Sequence, residues 1–275
     1  MRFKMKSRGV ITPARNSVAV RPLVAHAQRH KKIGVILALL VAARPLPAAA
    51  QTDFAAERAR MLQTVQAHAK QASDALGRDF IAPQILDVMR DVPRHEFVPV
   101  EARGDAYADR PLPIGHGATI SQPFIVALMT DLLRVRRDDI VLEVGTGSGY
   151  QAAILARLAH RVYTIEIVPA LAEGAAARLK RLGYENVTTR AGDGYHGWEE
   201  AAPFDGIIVT AAASEIPPPL VHQLKLGGRM VIPLGAPSVV QQLVLIERNL
   251  EDGRVTTRQL VPVSFVPLTS DSSRR

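Results

Sequence analysis

The run Glu143-Val144-Gly145-Thr146-Gly147-Ser148-Gly149 has the residue types and spacing to hold a nucleotide-like ligand. It follows a short apolar stretch, Ile140–Val144, and precedes a helical pattern carrying Ile154, Leu155 and Leu158. Glycine at 145, 147 and 149 allows a sharp turn and a close approach of backbone to ligand, where a Cβ would collide. A dinucleotide fingerprint would place its third glycine where Tyr150 stands. The order here is instead E-x-G-x-G-x-G, with an acid at the end of the strand. A carboxylate is ill suited beside a pyrophosphate and well suited to a ligand bearing an ammonium and a sulfonium. Glu166 ends the next apolar run, about twenty residues on, where folds of this kind bind two ribose hydroxyls. Asp193, in Gly192-Asp193-Gly194, follows the third run and is placed to accept from an adenine amino group. Each feature alone is weak, and their order along the chain gives them weight.

The elements that must position these residues alternate. Strands are expected at Ile140–Val144, Val162–Ile165, Val187–Arg190, Phe204–Val209 and Arg229–Pro233, then at Gln242–Glu247 and about Gln259–Val266. Helices are expected from Pro169 to Leu182, closed by Gly183, and from Pro217 to Leu226, closed by Gly227-Gly228. Alternating β and α units predict an α/β fold with a Rossmann-like, doubly wound, mostly parallel sheet. An N-terminal helical extension precedes it, with helical patterns from Phe54 to about Leu76, from Pro83 to Arg90, and from Pro123 through Leu133. Between Glu101 and Pro123 the chain is rich in Gly and Pro, and a loop of that length in a compact domain is usually functional.

Composition narrows the classes. The net charge of +8 resembles a nucleic-acid signal, but residues 1–50 carry ten of the 34 Lys and Arg and none of the 26 Asp and Glu. The remainder holds 24 basic against 26 acidic residues, a net of −2, which disfavours a phosphate-binding surface. Cysteine is absent, which excludes disulfides, thiolate metal sites and cysteine nucleophiles. The leader has Arg29-His30-Lys31-Lys32, an apolar run from Ile33 to Ala43, and Ala48-Ala49-Ala50 before Gln51. That layout fits a secretory signal, whereas the long stretch before the apolar run fits equally a start codon set too far upstream. Three regions are therefore expected: a leader at 1–50, N-terminal helices with a substrate loop at 51–133, and a cofactor-binding α/β domain at 134–275. The last two are expected to form one globular unit.

Several segments resemble one family, the protein-L-isoaspartate (D-aspartate) O-methyltransferases, over roughly residues 80 to 269. They are Pro93-Arg94-His95-Glu96-Phe97-Val98-Pro99, Pro111-Leu112-Pro113-Ile114-Gly115, Thr119-Ile120-Ser121-Gln122-Pro123, the glycine run with its flanking Leu142 and Tyr150, Gly192-Asp193-Gly194, Gly227-Gly228-Arg229 and Phe265-Val266-Pro267-Leu268. The resemblance implies a class I methyltransferase that uses S-adenosyl-L-methionine to methylate the free α-carboxylate of isoaspartyl residues in damaged proteins. The ester then collapses to a succinimide. It implies that Ser121 orients the acceptor carboxylate as catalytic and substrate-binding residue, although Ser121 could alternatively cap the helix after Pro123. It further implies cofactor contacts from Thr119 and Ile120 through their backbone, with Glu143, Gly145, Gly147, Gly149, Glu166, Asp193 and Gly194 forming the rest of that site. Gln241 and Thr269 match positions near the cofactor or its lid, and Val266 is expected to offer main-chain hydrogen bonds to the peptide. No metal is expected. Thr210-Ala211-Ala212-Ala213 stands where amino-directed nucleic-acid methyltransferases carry N/D-P-P-Y/F, so no nucleic-acid partner is expected. The remaining expectations are a monomer, no stable membrane association, and a cytoplasmic location because the cofactor is a cytosolic metabolite. A periplasmic location is the alternative if the leader is cleaved near Gln51.

Overall fold

Pro, Gly and apolar runs divide the chain into the elements seen in the computed structural model, which describes residues 53–236 and 239–270. The leader expected over 1–50 lies outside them. Helix α1 (Ala55–Gln71) buries Met61, Leu62, Val65 and Ala69, one stripe at helical spacing. The single helix expected from Phe54 to Leu76 is interrupted at Ala72, and a short α2 (Ser73–Leu76) turns Leu76 into the core before Gly77 ends it in the left-handed region. Helix α3 (Pro83–Asp91) follows, then two 3-10 turns at Arg94–Phe97 and Val100–Asp105. The Gly- and Pro-rich segment also folds a small hairpin, β1 (Leu112–Gly115) against β2 (Ala118–Ile120).

Helix α4 (Pro123–Leu133) is apolar almost all round, and every one of its residues but Ile125 is buried. It packs between α1 and α3 on one side and the main sheet on the other. The alternating part follows: β3 (Ile140–Val144), α5 (Tyr150–Ala156), β4 (Arg161–Glu166), α6 (Pro169–Arg181), β5 (Val187–Ala191), β6 (Phe204–Val209) and α7 (Pro218–Gln223). Strands β7 (Leu224–Leu234), β8 (Gln241–Arg248) and β9 (Val255–Val263) complete it. The seven-stranded sheet has the order β5-β4-β3-β6-β7-β8-β9. Pairing is parallel from β5 to β7 and antiparallel for β8 and β9. The chain leaves β3 towards β4 and later returns to its other edge as β6, so the carboxyl end of β3 faces the crevice where ligands bind in open α/β sheets.

The boundaries depart most from the pattern-based reading at the start of β7, which begins at Leu224 rather than Arg229, and at both ends of β9. The helix expected to reach Leu226 stops at Gln223, because fully buried Leu224 pairs with Phe204 of β6 and pulls the chain into the sheet. The last strand begins at Val255 rather than Gln259 and ends at Val263 rather than Val266. Its first five residues are exposed at the sheet edge and show no apolar alternation to mark them.

Central burial makes a checkable contrast. Leu142, fully buried in β3, is expected to cost about 3 kcal/mol when changed to Ala, through lost transfer energy and the cavity left behind. Val255→Ala, at the exposed start of β9, is expected to change stability by less than about 0.5 kcal/mol. Urea unfolding midpoints of the two variants, at unchanged m-value, measure the difference.

Candidate cofactor and substrate site

Glu143 and Thr164 are cross-strand partners in the β3–β4 ladder, and that register builds the first part of the site. The Thr164 hydroxyl donates to Glu143 Oε2 at 2.6 Å, and the Thr146 hydroxyl lies 2.6 Å from that of Thr164. With the Thr164 proton committed to the carboxylate, Thr146 must be the donor to Thr164, giving a relay that ends on Glu143. Glu143 is fully buried, and its Oε1 has no hydrogen-bond partner among the described residues. Burial raises its pKa to about 8, the neighbouring Glu166 carboxylate pushes the same way, and the Thr164 bond offsets only part of the rise.

Beyond Glu143 the backbone enters the glycine loop. Gly145 has φ +99°, and a Cβ there would stand 2.5 Å from the Thr210 hydroxyl oxygen. That hydroxyl donates to the Gly145 carbonyl at 2.6 Å, so the end of β6 braces the loop at its first glycine. Gly149, at φ +86°, is the N-cap of α5. Glu166 closes the loop from β4: its Oε2 accepts from Gly147 N–H at 2.8 Å and its Oε1 from Val168 N–H at 3.0 Å. Each oxygen keeps a second lone pair for a ligand hydroxyl. Asp193 accepts from Tyr195 N–H at 2.9 Å and caps the turn Gly194–His196. A Cβ on Gly194 would collide with the Val144 side chain, so glycine there lets the turn lie against the end of β3.

These elements enclose a chamber of about 300 Å³. Thr119, Ile120 and Ser121 reach it from β2 and the residue after it, while Glu143, Gly145, Gly147 and Glu166 reach it from the sheet. Gly194, Val266 and Thr269 complete the expected set at its wall. Gly149 and Asp193 are not among the wall residues; they are the N-cap residues of α5 and of the turn Gly194–His196. Gln241 is also absent from the wall. Its buried amide accepts from Phe265 N–H at 2.6 Å and donates to Phe265 C=O at 3.0 Å, which fixes the segment that carries Val266 and Thr269.

A second cavity of about 410 Å³ opens beside the chamber, along Pro111, Gln122, Ile125 and Phe265. Four residues border both: Thr119, Ser121, Thr210 and Val266. The main-chain edge expected at Val266 is closed on its carbonyl side, because that carbonyl accepts from Ala212 N–H at 2.8 Å, and the Leu268 N–H returns to the Ala212 carbonyl at 2.7 Å. Ser121 does not cap α4. Gln122 is the N-cap residue, and Asp109 reaches across to accept the Phe124 N–H at 2.8 Å. Sequence reasoning misses Thr210 as a wall residue; its position at the carboxyl end of a parallel strand is the signal that could have found it. It also assigns no part to Arg94 or Asp109.

Residues 75–273 match the profile of the family described as protein-L-isoaspartate(D-aspartate) O-methyltransferase. Protein-L-isoaspartate O-methyltransferase 2 of Syntrophobacter fumaroxidans is 60% identical over 235 residues, 86% of this chain and 95% of that protein. Protein-L-isoaspartate O-methyltransferase 1 of Cupriavidus necator is 54% identical over 248 residues, 90% of this chain and 95% of that protein. Among solved structures, a Plasmodium falciparum protein described as a putative protein-L-isoaspartate O-methyltransferase in complex with S-adenosyl-L-homocysteine superposes with a TM-score of 0.64 at 26% identity. It matches 77% of this chain and 98% of its own.

The burial of Glu143 sets a pH dependence for the ligand-free protein. Its pKa is about 8 folded and near 4.5 unfolded, so the native state keeps a proton that the unfolded chain gives up as pH rises. The favourable position is complete below about pH 4.5 and is lost progressively up to about pH 8. Glu143→Gln is therefore expected to melt higher than the parent by a margin that grows from pH 5 to pH 8. Thermal unfolding across that range measures it, and a margin independent of pH would contradict the buried-carboxyl account.

Proposed function

The chain belongs to the protein-L-isoaspartate(D-aspartate) O-methyltransferase family, and from that membership we infer that it methylates the free α-carboxylate of L-isoaspartyl and D-aspartyl residues in damaged proteins, initiating repair through a succinimide. It depends on S-adenosyl-L-methionine, which when bound supplies an electrophilic methyl group on a sulfonium. The observation that carries the reading is the shared wall. Ser121, from the T-I-S-Q-P segment, borders both the chamber of acids and glycines and the second cavity.

The chamber's residues fit the cofactor. Glu143 Oε1, buried and unpartnered among the described residues, suits an ammonium, and the unpaired burial that raises its pKa is relieved by such a cation. Glu166 offers its remaining lone pairs to the ribose hydroxyls, and Asp193 serves the adenine amino group from the turn that it caps. Thr119 and Ile120 contribute their backbone, Gly145, Gly147 and Gly194 bring theirs to the ligand by packing closely on their protein neighbours, and Gly149 lets the loop turn into α5. Gln241 acts by holding Phe265, which keeps Thr269 at the chamber. On the other side of the wall, Ser121 donates its hydroxyl to the acceptor carboxylate. Val266 borders both cavities, with its carbonyl already engaged. A carboxylate is ionised near neutral pH, so the transfer needs no general base, and the protein's contribution is alignment and charge placement.

The enzyme acts as a monomer on isoaspartyl proteins and engages no nucleic acid. No helix among the described residues is long and apolar enough to cross a membrane. We place it in the cytoplasm, where the cofactor is made; N-terminal sequencing of protein from separated cell fractions tests this, and a periplasmic chain beginning near Gln51 would refute it.

Radiolabelled methyl transfer to an isoaspartyl peptide and to its aspartyl twin tests the activity. Label is expected on the first alone, and equal labelling or none would sink the assignment. Ser121→Ala is expected to lower kcat about 10- to 1,000-fold with little change in cofactor affinity, as for a lost transition-state donor. Asp193→Ala is expected to weaken cofactor binding about 10-fold or more, the loss of a hydrogen bond to a charged group. Interchanged effects would overturn this division of roles.

A further inference from the structure

Two charged side chains outside both cavities grip the main chain on either side of Ser121. Arg94 is fully buried, donates from Nη2 to the Ser121 carbonyl at 2.8 Å and from Nε to the Ala106 carbonyl at 2.8 Å. Its guanidinium lies 4.8 Å from the ring centre of Tyr150, the first residue of the helix that leaves the glycine loop. One cation thus touches the Ser121 segment, the strap before it, and the element that follows the cofactor loop.

Asp109 holds the residues that follow Ser121. Its Oδ1 accepts from Phe124 N–H at 2.8 Å and its Oδ2 from the Gln122 side-chain amide at 2.9 Å, with its side chain only 6% exposed. His68 of α1 brings Nδ1 to 2.6 Å from the same Oδ2. Residues 55–71 lie before the region matched by the family, so this contact comes from outside that region. A second tie runs beside it, as Arg58 of α1 donates to the Tyr107 hydroxyl at 3.1 Å.

We propose that Arg94 and Asp109 are positioning residues that hold Ser121 at the junction of the two cavities, and that His68 on α1 sets the Asp109 carboxylate. The inference rests on the reading that Ser121 meets the acceptor carboxylate. Neither side chain borders the chamber or the cavity beside it, so their influence passes through the backbone of residues 121–124. A fork of several donors is needed for two carbonyls at once, which a lysine ammonium does not reproduce. Misplacement of about 1 Å at a reacting group can cost about 100-fold in rate.

The test is a double-mutant cycle with Ser121, read on methyl transfer to an isoaspartyl peptide and on binding of S-adenosylhomocysteine. Asp109→Asn and Arg94→Lys are expected to lower kcat about 10- to 100-fold, with cofactor affinity changed by less than about 3-fold. In a Ser121→Ala background the same changes are expected to cost less than about 3-fold, because the group they position is already gone. His68→Ala is expected to act like a milder Asp109→Asn, and His68→Gln, which keeps a donor, to recover most of the rate. Losses that multiply in the Ser121→Ala background, or that fall equally on cofactor binding, would overturn the proposal. If Ser121→Ala alone leaves kcat unchanged, the reading of Ser121 itself fails. If Ser121→Ala lowers kcat while Asp109→Asn and Arg94→Lys do not, only the positioning inference fails.

Discussion

A carboxylate buried at the carboxyl end of the central strand sets the terms for the rest of the site. Glu143 can occupy that place because β3 pairs in parallel with β4, which puts Thr164 beside it and Thr146 one relay step away. The relay satisfies one oxygen through Thr164 and leaves the other bare in a low-dielectric environment, where ionising the group is expensive. The ligand-free protein therefore carries an unfavourable arrangement that an apolar residue would avoid. Such local conflicts with stability are characteristic of functional sites. The cost is sustained by the surrounding sheet, whose inner strands are buried on both faces.

Around that point the fold divides its labour. Strands end at the chamber and supply fixed acids and glycines. The other side is built from the small β1–β2 hairpin, the end of β9 and the irregular segments that follow each, and those segments need separate bracing because they lie beyond the ladders. Helix α4 provides an anchor that is buried nearly all round, and the Ser121 segment enters it through Pro123. The segment after β9 is held in another way. Gln241 saturates both main-chain groups of Phe265, and Ala212 bonds to Val266 and Leu268.

Much of this architecture is legible in the residues themselves. The glycine run, Glu143, Glu166 and the alternation of strands are local patterns, and local patterns report on backbone geometry and strand ends. The T-I-S-Q-P segment carries its meaning by resemblance alone. Contacts made at long range by residues whose type misleads stay hidden. A fully buried arginine at 94 violates the usual placement of its kind, and nothing near it in sequence announces a partner at Ser121. Gln241 matches a position near the cofactor, but its partner lies 24 residues away in an irregular stretch. The start of β7 is masked because a helix-compatible run is claimed by sheet pairing at Leu224. The start of β9 is masked because an exposed edge strand has no reason to alternate.

The two cavities meet at four residues and otherwise have separate linings. On the proposed assignment, exchanges confined to the outer cavity's own side chains leave the lining of the cofactor chamber unchanged. Tolerance toward many flanking sequences and strictness toward one methyl donor need not compete within a single surface. Breadth and precision are assigned to different walls, and Ser121 stands where the two must agree.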